Sequence, residues 1–288
     1  MTDDLIGILE LEALEINRFR GRSTDPGWQR VFGGQVIGQA LVAASRTVDP
    51  ARRVHSLHAY FLRPGDPEQS IVYDVEQIRD GGSFSTRRVL GRQGGGEPIF
   101  AMSASFHAEE PGFEHQAAMP DVPPPEALPD EAALLAAIEE RAPAAALRFW
   151  RSPRAIEVRP VDAEAFLGRT GAHRSQASWI RPRMAMPDDA IVASAVLAYA
   201  SDLTLLDTTL IAAGRWVFDK GLMVTSLDHA MWFHRPTRFD DWLLYVCDSP
   251  FAGGARGFNR GSLYDRSGRL VASVAQEGLV RLARRAEK

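Results

Sequence analysis

Ser226-Leu227-Asp228-His229-Ala230-Met231-Trp232-Phe233-His234-Arg235-Pro236 is a near copy of His55-Ser56-Leu57-His58-Ala59-Tyr60-Phe61-Leu62-Arg63-Pro64. Both run through His-Ala and an aromatic patch to Arg-Pro, with one extra residue in the later copy. A second pair follows downstream: Ile99-Phe100-Ala101-Met102-Ser103-Ala104-Ser105-Phe106 matches Leu270-Val271-Ala272-Ser273-Val274-Ala275-Gln276-Glu277. Arg235 lies 172 residues after Arg63, and Ala272 lies 171 after Ala101. Two pairs of segments at nearly one offset are the mark of an internal duplication and predict two similar halves. Duplicated halves diverge, so function is sought in the half that keeps polar residues at apolar positions.

The surrounding patterns say what each half is. Residues 5–17 read as a short element, partly strand. Phe32-Gly33-Gly34-Gln35 opens a helix with the apolar stripe Val36, Ile37, Ala40, Leu41 and Ala44. Its small residues Gly34, Gly38, Ala43 and Ala44 predict close packing on a sheet. Strands are predicted over 55–62, 71–78, 84–91 and 99–107, with hairpin turns at Arg79-Asp80-Gly81-Gly82 and Gln93-Gly94-Gly95-Gly96. A helix followed by hairpin-linked strands is an α+β layer.

Between about 110 and 150 the composition shifts. Met119-Pro120-Asp121-Val122-Pro123-Pro124-Pro125 is a stiff linker, and an Ala-rich helix over 131–141 stops before Pro143. The pattern then restarts. Strands are predicted over 155–160 and 177–183, and Asp188 or Asp189 caps a helix over 190–203. Strands over 223–233, 242–248, 257–264 and 270–279 follow, with a turn at Asp265-Arg266-Ser267-Gly268. This divides the chain into an N-terminal half at 1–112, a linker at 113–150 and a C-terminal half at 151–288. Pairing the halves edge to edge would remove an exposed sheet edge from each.

The 288 residues are 45% hydrophobic and 24% charged, as in an ordinary globular protein, and the net charge of −4 gives nucleic-acid binding no support. The basic run Arg281-Leu282-Ala283-Arg284-Arg285 reads as solvated charge. The single cysteine, Cys247, excludes an internal disulfide and a multi-cysteine metal site, and fits a reducing compartment. Within Trp242-Leu243-Leu244-Tyr245-Val246-Cys247 it reads as a buried strand residue. No apolar run approaches the roughly 20 residues of a membrane span. The acidic start lacks a signal-peptide pattern, and Ala286-Glu287-Lys288 is not a peroxisomal address. A cytoplasmic location is expected.

Three polar residues stand where apolar ones belong. Along the last strand, one face is Leu270, Ala272, Val274, Gln276, Gly278 and Val280, apolar except for Gln276. The helix over 190–203 is apolar almost all round, and its only interior acid is Asp202, near the C-terminal end. Helix dipoles disfavour a carboxylate there, and burial disfavours its charge. In Met223-Val224-Thr225-Ser226, alternation lets only one of the two hydroxyls face the helix, and it does not choose between them. Asp228 and His229 are adjacent on a strand, point to opposite faces and are read as structural, as is His58. No metal-ligand spacing and no Gly-x-Ser-x-Gly element is present. The glycine pairs and runs at 81–82, 94–96 and 253–254 read as turns.

Six segments together resemble the acyl-CoA thioesterase II family. They are Phe32-Gly33-Gly34-Gln35-Val36-Ile37-Gly38-Gln39-Ala40, the 55–64 motif extended through Gly65-Asp66, Ala198-Tyr199-Ala200-Ser201-Asp202, the 226–236 motif, Ala255-Arg256-Gly257-Phe258-Asn259-Arg260-Gly261, and Val271-Ala272-Ser273-Val274-Ala275-Gln276-Glu277-Gly278. The similarity runs from about residue 5 to 282. It implies a double hotdog: two halves, each a long helix wrapped by an antiparallel sheet, with the sheets joined. It also implies hydrolysis of acyl-CoA by an Asp, a Thr or Ser hydroxyl and a Gln, which fall on Asp202, Ser226 and Gln276. The family often has Thr where this chain has Ser226, and Thr225 stays an alternative. In the first half the position matching Gln276 reads as Ser105, and no acid lies on the 36–44 helix, so that half is expected to be structural. Gly33 and Gly34 are candidates to approach the substrate carbonyl, and His58 and Arg256 are further substrate-contact candidates. No cofactor or metal is implied. The partners implied are acyl-CoA and further copies of the chain, as a dimer or tetramer. Two other readings compete: a hotdog enoyl-CoA hydratase or dehydratase, which pairs Asp with His, and a non-catalytic acyl-CoA-binding protein.

Overall fold

The structure, a computed structural model, describes residues 4–24, 30–140, 142–167 and 175–282. Arg284, Arg285, Ala286-Glu287-Lys288 and Arg141, all read above, lie outside them. The first half opens with α1 (Leu5–Leu9), β1 (Glu12–Glu15) and β2 (Arg18–Gly21). Then come α2 (Gly33–Ser45), β3 (Arg52–Phe61), β4 (Ile71–Asp80), β5 (Phe84–Arg92) and β6 (Phe100–Ala108). The connection carries α3 (Glu131–Ile138) and α4 (Ala144–Arg151). The second half is β7 (Ile156–Pro160), α5 (Ala163–Phe166), β8 (Ser175–Pro182), α6 (Ala190–Ser201), α7 (Asp207–Ala212), β9 (Leu222–Ser226), β10 (Asp228–Phe233), β11 (Leu243–Gly253), β12 (Arg256–Asp265) and β13 (Leu270–Leu282). Asp189 caps α6 by accepting from the Ile191 and Val192 amides.

The strands form one antiparallel sheet in the order β1-β2-β4-β5-β6-β3-β10-β13-β12-β11-β8-β7, with β9 also on β13. The halves join where β3 pairs β10: Tyr60 lies opposite Asp228, and Ser56 opposite Trp232. The two copied motifs are therefore the strands that meet at the seam. Each masks the edge that its half alone would leave open. This is the double-hotdog architecture, with α2 and α6 wrapped by the two parts of one sheet.

Two of the small residues of α2, Gly34 and Gly38, act differently from the expectation. A Cβ on Gly34 would stand 2.4 Å from the Tyr199 carbonyl oxygen, and one on Gly38 3.1 Å from that of Ala195. Both glycines face α6, not the sheet: they let the two central helices touch backbone to backbone. The largest apolar core among the described residues spans both halves, with smaller clusters at the connecting helices and on the outer face of the second half. Ile37 and Leu41 of α2, Leu57 of β3, Val196 of α6 and Met231 of β10 are all fully buried within it. Each contributes roughly 1.5–3 kcal/mol. Cys247 is buried on β11, as its strand context predicts.

The strand predicted over 223–233 is interrupted. β9 and β10 lie along the same side of β13, and Leu227 is the break: its N–H donates to the Glu277 carbonyl, and its carbonyl accepts from the Phe61 N–H. Alternation restarts there, with consequences for the site. Among the described residues, no helix is long and apolar enough to cross a membrane.

Candidate active site

Asp202 ends α6 as its C-cap, and its side chain is 4% exposed. A carboxylate here meets the negative end of the α6 dipole in a dry setting. The other half supplies the compensation. Phe32, the N-cap of α2, offers no side-chain acceptor to the first turn, and the Gly34 N–H donates to Asp202 instead. The positive end of the α2 dipole thus faces the charge that the α6 dipole opposes. A Cβ on Gly33 would lie 2.6 Å from Asp202 Oδ2 and 2.9 Å from the Phe61 ring. Glycine at 33 and 34 is what lets the helix start come this close.

Two further donors reach the carboxylate. Gln276 Nε2 donates to Asp202 Oδ1 at 2.6 Å, and the Ser226 hydroxyl also donates to Asp202. Burial pushes the Asp202 pKa up to about 6, against the downward pull of the Gln276, Gly34 and Ser226 hydrogen bonds. Gln276 is 1% exposed on the inner face of β13, where its period placed it. Its nitrogen also stands 3.2 Å from Ser226 Oγ and 3.2 Å from His229 Nδ1. Its Oε1 is buried without a partner among the described residues.

The structure thus brings together Asp202, Ser226 and Gln276 with Gly33 and Gly34. Thr225 has no side-chain hydrogen bond to these groups among the described residues, and its strand neighbour on β13 is Leu279. His58 lies elsewhere. It is exposed on the outer sheet face, edge-on to Trp232 with ring centroids 5.3 Å apart. Arg256 is a surface residue whose Nε donates to Glu277 Oε1 at 3.0 Å.

The sequence does not assign two residues near Asp202 to the site: it reads His229 as structural and does not single out Asp207. His229, fully buried, has Nδ1 3.8 Å from Asp202 Oδ1. Continuous alternation puts Ser226 and His229 on opposite faces; the break at Leu227 turns both toward Asp202. Its immediate neighbour Asp228 instead accepts from the Glu277 N–H at 2.7 Å, so the two adjacent residues do diverge as expected. Asp207, in the first turn of α7, is pushed up to about 7 by burial and then by the charge of Asp202.

The match of Ser105 to Gln276 needs correction. Ser105 faces outward and shares a 2.8 Å hydrogen bond with His55. An odd offset exchanges the two faces of a strand. At the even offset of 172, Gln276 corresponds to Ala104 and His229 to Leu57, and these two are register partners on β6 and β3, both buried. The first half has an apolar pair where the second has the His–Gln pair.

A family model described as acyl-CoA thioesterase matches residues 149–279, and one described as the acyl-CoA thioesterase N-terminal domain matches residues 24–107. The chain is 42% identical to acyl-coenzyme A thioesterase 8 of Homo sapiens over 96% of its own length and 88% of that protein. It is 38% identical to acyl-CoA thioesterase 2 of Haemophilus influenzae, over 98% of both. Among solved structures it is similar to an acyl-CoA thioesterase II, TesB2, from Mycobacterium marinum. There the TM-score is 0.79 and the identity 45%, over 96% of this chain and 98% of that one. Near-complete similarity at this level, on a double-hotdog frame, means that the chain is an enzyme of the acyl-CoA thioesterase family.

Proposed function

We propose that the chain hydrolyses acyl-CoA thioesters to a free acid and CoA by direct attack of one water, with Asp202 as general base and Ser226 and Gln276 as the groups that orient the reacting atoms. The observation that supports it most is the buried Asp202 carboxylate with its three donors, Gln276, Ser226 and Gly34. A thioester carbonyl is electrophilic and a thiolate leaves readily, so no covalent enzyme intermediate is needed. The water oxygen bonds to the carbonyl carbon while its proton passes to Asp202. Collapse of the tetrahedral adduct breaks the C–S bond, and the leaving thiolate takes up the proton held by Asp202, which returns the base to its carboxylate form. Because the Gly34 N–H is engaged by Asp202, the Gly33 N–H is the backbone donor assigned to the oxyanion.

A base whose pKa is raised to about 6 is mostly ionised at neutral pH yet strong enough to take the proton. The rate of thiol release from an acyl-CoA should therefore climb as pH rises from 5 and level off above about 7. The limb belongs to Asp202 and Asp207 jointly, since their charges interact. A rate flat from pH 5 to 7 would rule out Asp202 as the base.

Replacing Ser226 by Ala removes one hydrogen bond to a charged group, roughly 1.5–3 kcal/mol. This should lower kcat about ten- to a hundredfold, while Ser226→Thr is tolerated. A larger loss in Thr225→Ala than in Ser226→Ala would return the hydroxyl role to Thr225.

The approach of His229 to Asp202 gives the hydratase reading an Asp and a His. Their setting argues against it: His229 has no exposed surface, and burial lowers its pKa to about 3. No hydration of a 2-enoyl-CoA is expected when absorbance of the conjugated thioester is followed.

A further inference from the structure

We propose that His229 is a positioning residue, which sets the end of the Gln276 amide that faces Asp202. This rests on the reading that Gln276 belongs to the reaction centre.

The proton count carries it. Ser201 Oγ lies 2.8 Å from the Ala198 carbonyl oxygen, which can only accept, so the single Ser201 proton goes there. The same Oγ lies 2.9 Å from His229 Nε2 and must accept from it. The ring therefore carries its proton on Nε2. In a neutral imidazole Nδ1 is then a bare lone pair, and it faces the Gln276 nitrogen at 3.2 Å. A flipped amide would set Oε1 against that lone pair and against the Asp202 carboxylate, acceptor facing acceptor twice. His229 and Asp202 together hold the two N–H bonds of Gln276, with Ser226 Oγ beside them.

The orientation has a purpose in the reaction. With both N–H groups held, the amide oxygen is the end left free to accept a hydrogen bond, and Oε1 has no partner among the described residues. Ser201 is locked in turn, since its backbone carbonyl accepts from the Tyr245 hydroxyl at 2.7 Å. The duplication points the same way. In the first half Leu57 replaces the histidine and Ala104 the glutamine, so the two polar residues are present together in one half and absent together in the other.

The test compares two variants that divide the functions of the ring. His229→Asn keeps an acceptor near the place of Nδ1 but cannot reach Ser201. His229→Gln can reach Ser201 but offers no acceptor at Nδ1. Steady-state thiol release should show His229→Asn within about tenfold of wild type in kcat. His229→Gln should lose on the order of 10²-fold in kcat with little change in KM, the cost of misplacing a group without removing it. The opposite ranking, or equal effects in the two variants, overturns the proposal. Should neither variant fold, nitrogen-15 NMR of the wild-type histidines decides. A neutral His229 with its proton on Nε2 from pH 5 to 8 supports the proposal; a proton on Nδ1, or an imidazolium, overturns it. Normal turnover by Asp202→Asn would instead defeat the hydrolysis mechanism, and the tautomer measurement does not depend on that result.

Discussion

Asp202→Asn should lower kcat by on the order of 10³-fold, within the range for loss of a general base, and the protein should still fold and unfold at a temperature close to that of wild type. The first effect follows from the chemistry: an amide cannot take a proton from water. The second follows from the site. The folded carboxyl has its pKa raised to about 6 from an ordinary 3.8, chiefly by burial, so the native state binds this proton more tightly than the unfolded chain does. Stability therefore falls as pH rises from about 4 to about 6, and stays lower above that window. Keeping the group ionised in the fold costs on the order of 3 kcal/mol. An uncharged amide of the same shape avoids that cost but turns an NH2 group toward one of the donors that serve the carboxylate, at roughly 1–3 kcal/mol, so the two effects largely offset each other. Thiol release and thermal melting at pH 8, wild type beside variant, check both halves of the expectation. Near-normal turnover in a folded variant would remove Asp202 from the mechanism.

Gly34→Ala should damage stability and turnover together. Its Cβ would stand 2.4 Å from the Tyr199 carbonyl oxygen, which is backbone and cannot rotate away. The helices must separate, at about 1–3 kcal/mol, a drop in Tm of roughly 3–10 °C for a chain of this size. The same separation pulls the Gly34 N–H away from Asp202, and a misplacement near 1 Å at a reacting group lowers kcat by up to about 10²-fold. Gly38→Ala is the comparison. Its close neighbours are a flexible Leu9 methyl at 2.8 Å and the Ala195 carbonyl at 3.1 Å. It should lower Tm less and leave kcat near wild type. Equal melting and turnover in wild type and Gly34→Ala would show that the α2–α6 contact is not as described.

Much of this was legible in the sequence, for definite reasons. The long strands announced themselves because one face of each is buried, while the short β2 does not read as a strand; the duplication was legible because its motifs are long. Asp202 and Gln276 stood out as polar residues in otherwise apolar patterns. What stayed hidden depended on contacts across the fold. Gly34 and Gly38 read as small, but nothing local says whether a helix or a sheet fills the space they leave. Leu227 has no turn residue to betray the break, so the shared face of Ser226 and His229 was out of reach. The odd offset that led to Ser105 in place of Ala104 fails on strand parity, a check the alternation itself could have provided. Asp207 lies in a short helix with no periodicity to violate.

The hydrogen bond from the Gly34 amide to Asp202 crosses from one repeat to the other. Descent by duplication usually leaves a redundant copy that can be discarded. Here the copy without Asp202 contributes a backbone N–H, which of all substitutions at position 34 only proline would delete, and it is brought close by glycines that have no room for a methyl. Each repeat has become half of a heterodimer folded from one chain, and the proposed site exists only where the two meet.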